Sequence, residues 1–196
     1  VGQSLHAAPV RVGVALCGVP DAMQRACVVA AVKGVLTPFC AEGVNLVNAQ
    51  TLAKHRGIGV TETLRGEGDG YANLITVTVA TARGERSASA TLFSDRHGRI
   101  VAVDGLPLEF APEGTLLVIT NRDVPGVVGR IGTLLGERGV NIGDFALARG
   151  REGHAAAVVR IDPPAGSDGR RSIGPELVDA VGRLEGIESV RLVSIS

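Results

Sequence analysis

The sequence has few aromatics, few cysteines, no long apolar run and no excess of charge of either sign. Aromatic residues make up 3% of the chain, with no Trp, one Tyr and four Phe. Its cores must therefore be built from Val, Ile, Leu and Ala, and there is no aromatic platform on which nucleic-acid bases could stack. Lys and Arg total 20, as do Asp and Glu. Such a balance exerts no long-range pull on phosphate backbones or anionic lipid, so neither nucleic acid nor membrane is expected as a partner. The longest apolar run, Ala26 to Val32, is far shorter than the roughly 20 residues a spanning helix needs. The N-terminus lacks the basic, apolar and small-residue order of a secretory signal. Cys17, Cys27 and Cys40 form no C-x-x-C pair, which predicts reduced thiols in a cytoplasmic protein. None has a base or cation beside it to make a nucleophile. The opening Val1 leads us to expect an excised fragment whose remainder precedes it.

Catalytic apparatus is also missing. A dinucleotide site needs a strand, G-x-G-x-x-G, a helix and a downstream acid. The nearest run, Gly126, Gly129 and Gly132, has the wrong spacing and lies within a helical pattern. His6, His55, His97 and His154 are scattered, none paired with a carboxylate for acid–base work, and no metal-ligand spacing occurs. The expectation is a chain with no catalytic residue, no metal and no cofactor of its own.

What is present is glycine, 27 residues, and strings of alternating Val, Ile and Thr. Together they predict an α+β protein of two domains with antiparallel sheets. In the first, residues 1–112, Pro9 to Leu16 alternates as a strand. Asp21 is the expected N-cap of a helix over Ala22 to Val35, with Met23, Ala26, Cys27, Ala30, Ala31 and Val35 inward and Pro38 ending it. Val44 to Val47 reads as short and extended, and Ala49 to Arg56 as a helix stopped by Gly57. Strands follow at Ile58–Leu64, Asn73–Ala82, Arg86–Phe93 and Arg99–Val103, with turns at Arg65–Tyr71, Asp95–Gly98 and Asp104-Gly105.

The pattern restarts near Ala111–Gly114, giving a second domain over residues 113–196. Strands are expected at Thr115–Asn121, Val140–Arg149, His154–Ile161 and Ile187–Ile195. An amphipathic helix over Pro125–Arg138 turns Val128, Ile131, Leu134 and Leu135 inward, and one over Ser172–Leu184 uses Leu177, Val178, Val181 and Leu184. The order is βαββαβ, the ferredoxin-like split βαβ unit, which we read as a ligand sensor.

Its informative segment is Asn121-Arg122-Asp123-Val124-Pro125-Gly126, where a strand ends and a helix begins. The first amides of a helix lack intrahelical partners and, with its dipole, favour an anion such as a carboxylate. Gly126 admits a ligand close to the backbone, Asp123 can accept from an ammonium, and Asn121 and Asn141 can donate and accept. That set suits a small zwitterion. The same residues also fit a plainer role, Asp123 as a helix N-cap and Asn141 as a turn residue.

The run Asp123-x-Pro125-Gly126-x-x-Gly129-x-Ile131-x-x-x-Leu135-x-x-x-Gly139-Val140-Asn141-Ile142 resembles an ACT domain, the amino-acid-sensing module of many biosynthetic enzymes. Upstream, Val44-Asn45-Leu46-Val47-Asn48-Ala49 with Ala53-x-x-Arg56-Gly57-Ile58-x-Val60-x-Glu62 resembles the intervening, or allosteric substrate-binding, domain of long-form D-3-phosphoglycerate dehydrogenase. The combined resemblance spans nearly the whole chain. It implies the regulatory and oligomerisation part of an NAD-dependent enzyme that oxidises 3-phosphoglycerate in the first step of L-serine biosynthesis. It further implies L-serine bound where two ACT domains of a homodimer or tetramer meet, by Asn121, Asp123, Pro125, Gly126, Asn141 and Ile142. In the first domain, Arg99 matches a basic position of members that bind an anion there. Leu106, Pro107 and Ala111 stand where further basic groups are expected, and the alternative is a spacer and dimerisation domain. Two other identities fit the domain order: the small chain of iron-sulfur L-serine dehydratase, and a stand-alone ACT sensor.

Overall fold

A computed structural model describes residues 7–40, 43–66, 70–93, 97–150, 153–162 and 173–195. The described residues up to Gly105 form one compact unit and those from Leu106 onward a second. The chain is α+β, with two sheets that are mostly antiparallel.

In the first unit, strand β1 (Pro9–Cys17) carries Val12, Val14 and Leu16 on one face, all buried. After it comes helix α1 (Asp21–Leu36), a 3-10 turn (Thr37–Phe39), helix α2 (Ala49–His55) and strand β2 (Gly59–Arg65). β2 runs parallel to β1, with Val12 opposite Val60. The expected all-antiparallel sheet is therefore mixed. A parallel pair needs a long crossover, and α1, the 3-10 turn and α2 supply it. β3 (Leu74–Thr81), β4 (Gly84–Leu92) and β5 (Gly98–Val103) add antiparallel strands, giving the order β2-β1-β3-β4-β5 within this unit.

The core lies between α1, α2 and one sheet face. α1 buries Val28, Val32 and Leu36, spaced at i, i+4 and i+8. Met23, Ala26 and Ala30, expected inward, are exposed; Cys27, Ala31 and Val35 flank the buried stripe. The larger branched side chains won the core face because each buries more apolar area than an Ala. Asp21 is the first residue of the helix instead of its cap, which is Pro20; the Asp21 carboxylate accepts from Gln24 Nε2 at 2.9 Å. The segment expected to be extended, Val44 to Val47, is a turn. Asn45 Oδ1 accepts from the amides of Val47 and Asn48 at 2.8 and 2.9 Å, while Asn48 Oδ1 accepts from Asn45 N at 2.8 Å. Two asparagines three residues apart thus offer the backbone a closed local loop in place of a ladder. Asp95 and Arg96 of the expected Asp95–Gly98 turn lie outside the described residues, but Asp104-Gly105 is described. Asp104 Oδ1 accepts from Ser87 N at 2.8 Å, and its Oδ2 lies 2.9 Å from Arg86 Nη2.

The second unit opens with β6 (Leu106–Phe110), a strand the sequence pattern did not announce. Pro107 and the turn residues on both sides mask it, though Leu108 and Phe110 alternate and are buried. There follow β7 (Gly114–Arg122), α3 (Val127–Glu137), β8 (Asn141–Arg149), β9 (His154–Asp162), α4 (Pro175–Gly182) and β10 (Ile187–Ile195). The four strands β7 to β10 lie in the order β10-β7-β9-β8 with antiparallel neighbours. This is the split βαβ arrangement: β7 and β8 run in the same direction with β9 between them. β6 lies against β8.

The core of this unit sets Leu117 and Ile119 of β7 and Ala157, Val159 and Ile161 of β9 beneath α3 and α4. α3 contributes Val127, Ile131 and Leu135, and α4 contributes Leu177 and Val181. Helix α3 starts two residues later than expected, and Val128 is exposed while Val127 is buried. Ile131 and Leu135 are buried and Leu134 packs against the core, as expected, while Gly126, the N-cap with a φ of 88°, turns the chain into the helix just before Val127.

Candidate functional site

The end of β7 is built by backbone bonds that tie three loops together. Arg122 N donates to Gly186 O at 2.8 Å, and Asp123 N donates to Gly153 O at 2.7 Å. Pro125-Gly126 makes the turn into α3, and Arg130 N is the first helical amide to find its partner, Gly126 O, at 2.9 Å. The amides of residues 127 to 129 therefore have no intrahelical acceptor. The turn sits close on Gly186, where an added Cβ would come within 2.9 Å of Val127 Cγ2. Arg130 fixes the same corner by donating from Nε and Nη2 to Glu185 O, at 3.2 and 3.1 Å.

Asn121, on β7, is 3% exposed. Its Nδ2 donates to Arg122 O at 2.7 Å, and its Oδ1, fully buried, has no hydrogen-bond partner among the described residues. A buried amide oxygen left without a donor is costly, by about 1–3 kcal/mol. Asp123 does not cap α3. Its carboxylate reaches sideways to Arg149, with Oδ2 3.4 Å from Nε. Pro125 and Gly126 are exposed.

Asn141 and Ile142 are elsewhere. Asn141 begins β8, exposed, and its Nδ2 donates to Asp162 Oδ2 at 3.0 Å. Ile142 is half-buried against the core. Asn121 stands opposite Ala155 on β9, whereas Asn141 stands opposite Asp162. Seven residues of strand, about 24 Å, separate those two levels. The reason is the topology: α3, 11 residues and about 16 Å long, carries the chain from one end of the sheet to the other. Within one chain the Asp123–Gly126 turn does not face Asn141.

Other side chains near Asn121 were not anticipated. Ile187, Asn121, Ala155 and Arg149 form one row across β10, β7, β9 and β8, so their side chains emerge on the same face. His154, expected to lack a carboxylate partner, lies 3.1 Å from Glu188, both partly exposed. The hairpin at Gly150–Gly153 would have placed Arg149 beside residues 154 and 155 had its register been carried through. Nothing in local sequence brings Glu188 to His154, which are 34 positions apart.

Arg99 lies on β5 opposite Thr91, half-buried, and is the only basic residue of that strand. All three cysteines are free, with Cys17 buried and the others half-buried. Among the described residues there is no group of three or more His, Cys, Asp or Glu that could hold a metal ion. Nor is any helix long and apolar enough to cross a membrane.

Comparison with known proteins gives these shapes a family. The family model described as "D-3-phosphoglycerate dehydrogenase intervening domain" matches residues 1–104. The D-3-phosphoglycerate dehydrogenase of Synechocystis sp. is 38% identical over 138 residues, covering 70% of this chain and 25% of that protein. That of Bacillus subtilis is 32% identical over 167 residues, 85% of this chain and 30% of its own length. That of Methanocaldococcus jannaschii is 29% identical over 164 residues, covering 83% and 29% respectively. The chain thus spans 25–30% of the length of these relatives. Among solved structures, the ACT domain from GTP pyrophosphokinase of Chlorobium tepidum covers 41% of this chain and 97% of its own, at 17% identity and a TM-score of 0.32.

Proposed function

Since this chain belongs to the D-3-phosphoglycerate dehydrogenase intervening-domain family, we propose that it is the regulatory part of such an enzyme and that its second unit is an ACT domain sensing L-serine. The NAD-dependent oxidation of 3-phosphoglycerate belongs to the remainder of the relatives' length. The role of this part is to bind the end product and pass the signal on.

One observation carries the effector reading. Asn121 Oδ1 is a buried acceptor with no donor among the described residues, beside a turn whose helix offers free amides. A ligand bearing an ammonium or hydroxyl supplies the missing donor. Asp123 balances the ammonium, the amides at the start of α3 receive the carboxylate, and Pro125 and Gly126 let the ligand approach the backbone. Asn141 and Ile142 complete the site from a second copy, because they lie at the far end of their own sheet. Serine then bridges two chains and favours one arrangement of subunits, with a coupling of about 1–3 kcal/mol to the catalytic part.

Titration calorimetry of the full chain with L-serine tests this. The expected result is saturable heat that disappears in Asp123→Ala. Absence of heat in the unsubstituted chain, or undiminished binding by Asp123→Ala, would overturn the assignment.

A further inference from the structure

The row that holds Asn121 ends in a guanidinium that the serine reading leaves without a role. Arg149 is the last residue of β8, and its side chain is 77% exposed. It stands on the same sheet face as Asn121, two strands away, which sets the two backbones about 10 Å apart. The strand between them contributes Ala155, a small and buried side chain in the same row. Asp123 reaches across to place its Oδ2 3.4 Å from Arg149 Nε. An exposed ion pair at that distance is weak, typically about 0–1 kcal/mol, and either partner can be drawn away by a better one.

We infer that Arg149 is a binding residue of the effector site, sharing the carboxylate of an α-amino acid with the amides at the start of α3 while Asp123 turns to its ammonium. This rests on the serine reading above and adds to it a specific selectivity. In the unliganded chain the Asp123–Arg149 pair holds together the two charges that a zwitterion presents in complementary order, and the ligand enters by exchanging one ion pair for two. A guanidinium matches a carboxylate with two parallel N–H donors, which amides at a helix start do not. The site therefore discriminates against amines that lack a carboxylate.

The test is titration calorimetry of the full chain and of Arg149→Gln with two probes, L-serine and L-serinamide, in which a neutral amide replaces the carboxylate. Arg149→Gln is expected to weaken L-serine at least tenfold and to change L-serinamide less than twofold. Arg149→Lys, which keeps the charge and loses the fork, is expected to fall between. L-serine binding by Arg149→Gln within twofold of the unsubstituted chain would sink the assignment of Arg149 while leaving the serine reading intact. No L-serine binding by the unsubstituted chain removes both. An equal loss for both probes, with an unchanged melting temperature, also counts against Arg149 as the carboxylate partner.

Discussion

Asn73 in the first unit and Asn121 in the second both sit at the end of a strand, and their amides are treated in opposite ways. Asn73 Oδ1 accepts from Leu92 N at 2.7 Å and lies 3.3 Å from Thr91 Oγ1, while its Nδ2 donates to Leu92 O at 3.0 Å. Thr91 Oγ1 also donates to the Asn73 carbonyl at 2.6 Å. Both ends of that side chain are closed on the neighbouring strand. Asn121 makes one bond to the residue beside it and leaves its oxygen buried and unanswered. A fold has reason to keep the first amide for stability alone, whereas the second costs stability unless something else binds it. The contrast extends to the turns: Asn45 and Asn48 cap each other, while the turn at Asp123–Gly126 sends its one carboxylate outward to Arg149.

The contrast can be broken or sharpened by substitution. The largest effect is expected in the floor on which the second turn rests. Ile131→Ala removes a fully buried side chain of α3 and should cost about 2–5 kcal/mol in denaturant unfolding; a loss under 1 kcal/mol would mean that α3 does not anchor that corner. Asn73→Ala leaves the Leu92 amide and carbonyl short of their side-chain partners, while Thr91 keeps its bond to the backbone carbonyl of residue 73; two lost bonds should cost about 1–3 kcal/mol with an unchanged L-serine titration. Asn121→Ala loses a single bond and also removes the orphan oxygen. Its stability cost should be smaller, about 0.5–1.5 kcal/mol, yet L-serine binding should fall more than tenfold. If the two asparagines proved equal in both measurements, the distinction between them would be void. At the bottom of the scale, Arg11→Ala removes a 3.4 Å pair with Glu85 in which both side chains are more than half exposed. It should shift stability by no more than about 0.5 kcal/mol.

Most of the scaffold was legible in the sequence, for physical reasons that also mark where legibility ended. β10 was legible because a glycine turn precedes Ile187 and β-branched and apolar residues recur up to Ile195, although the alternation breaks at Ser189 and Val193 and the register shifts between Ile187 and Ser189. Helix faces were harder. In α1, Ala, Cys and Val are close enough in hydrophobicity that periodicity admitted two stripes, and only packing chose Val28, Val32 and Leu36. At α3 the inward face at Ile131, Leu134 and Leu135 was legible, and only its first member differed, Val127 in place of Val128. Pairing direction was invisible as well: β2 alternates whether its neighbour runs parallel or not, and the crossover decided it. For the candidate site, the chemistry of Asn121, Asp123 and Asn141 could be read from residue type. Their separation into two clusters could not, because it follows from the helix between them. Arg149 was overlooked because its relation to Asn121 passes through two strand pairings, each easy to state alone.

The end-to-end placement of Asn121 and Asn141 has a consequence in solution. In the proposed site a ligand held by both residues is held by two chains, and its uptake and the association of those chains would be one equilibrium. Dilution of the protein would then weaken binding at constant ligand, and added ligand would raise the oligomer fraction at constant protein. The midpoint of a titration becomes a property of both concentrations, and a dissociation constant reported at a single protein concentration would describe that dilution more than the site.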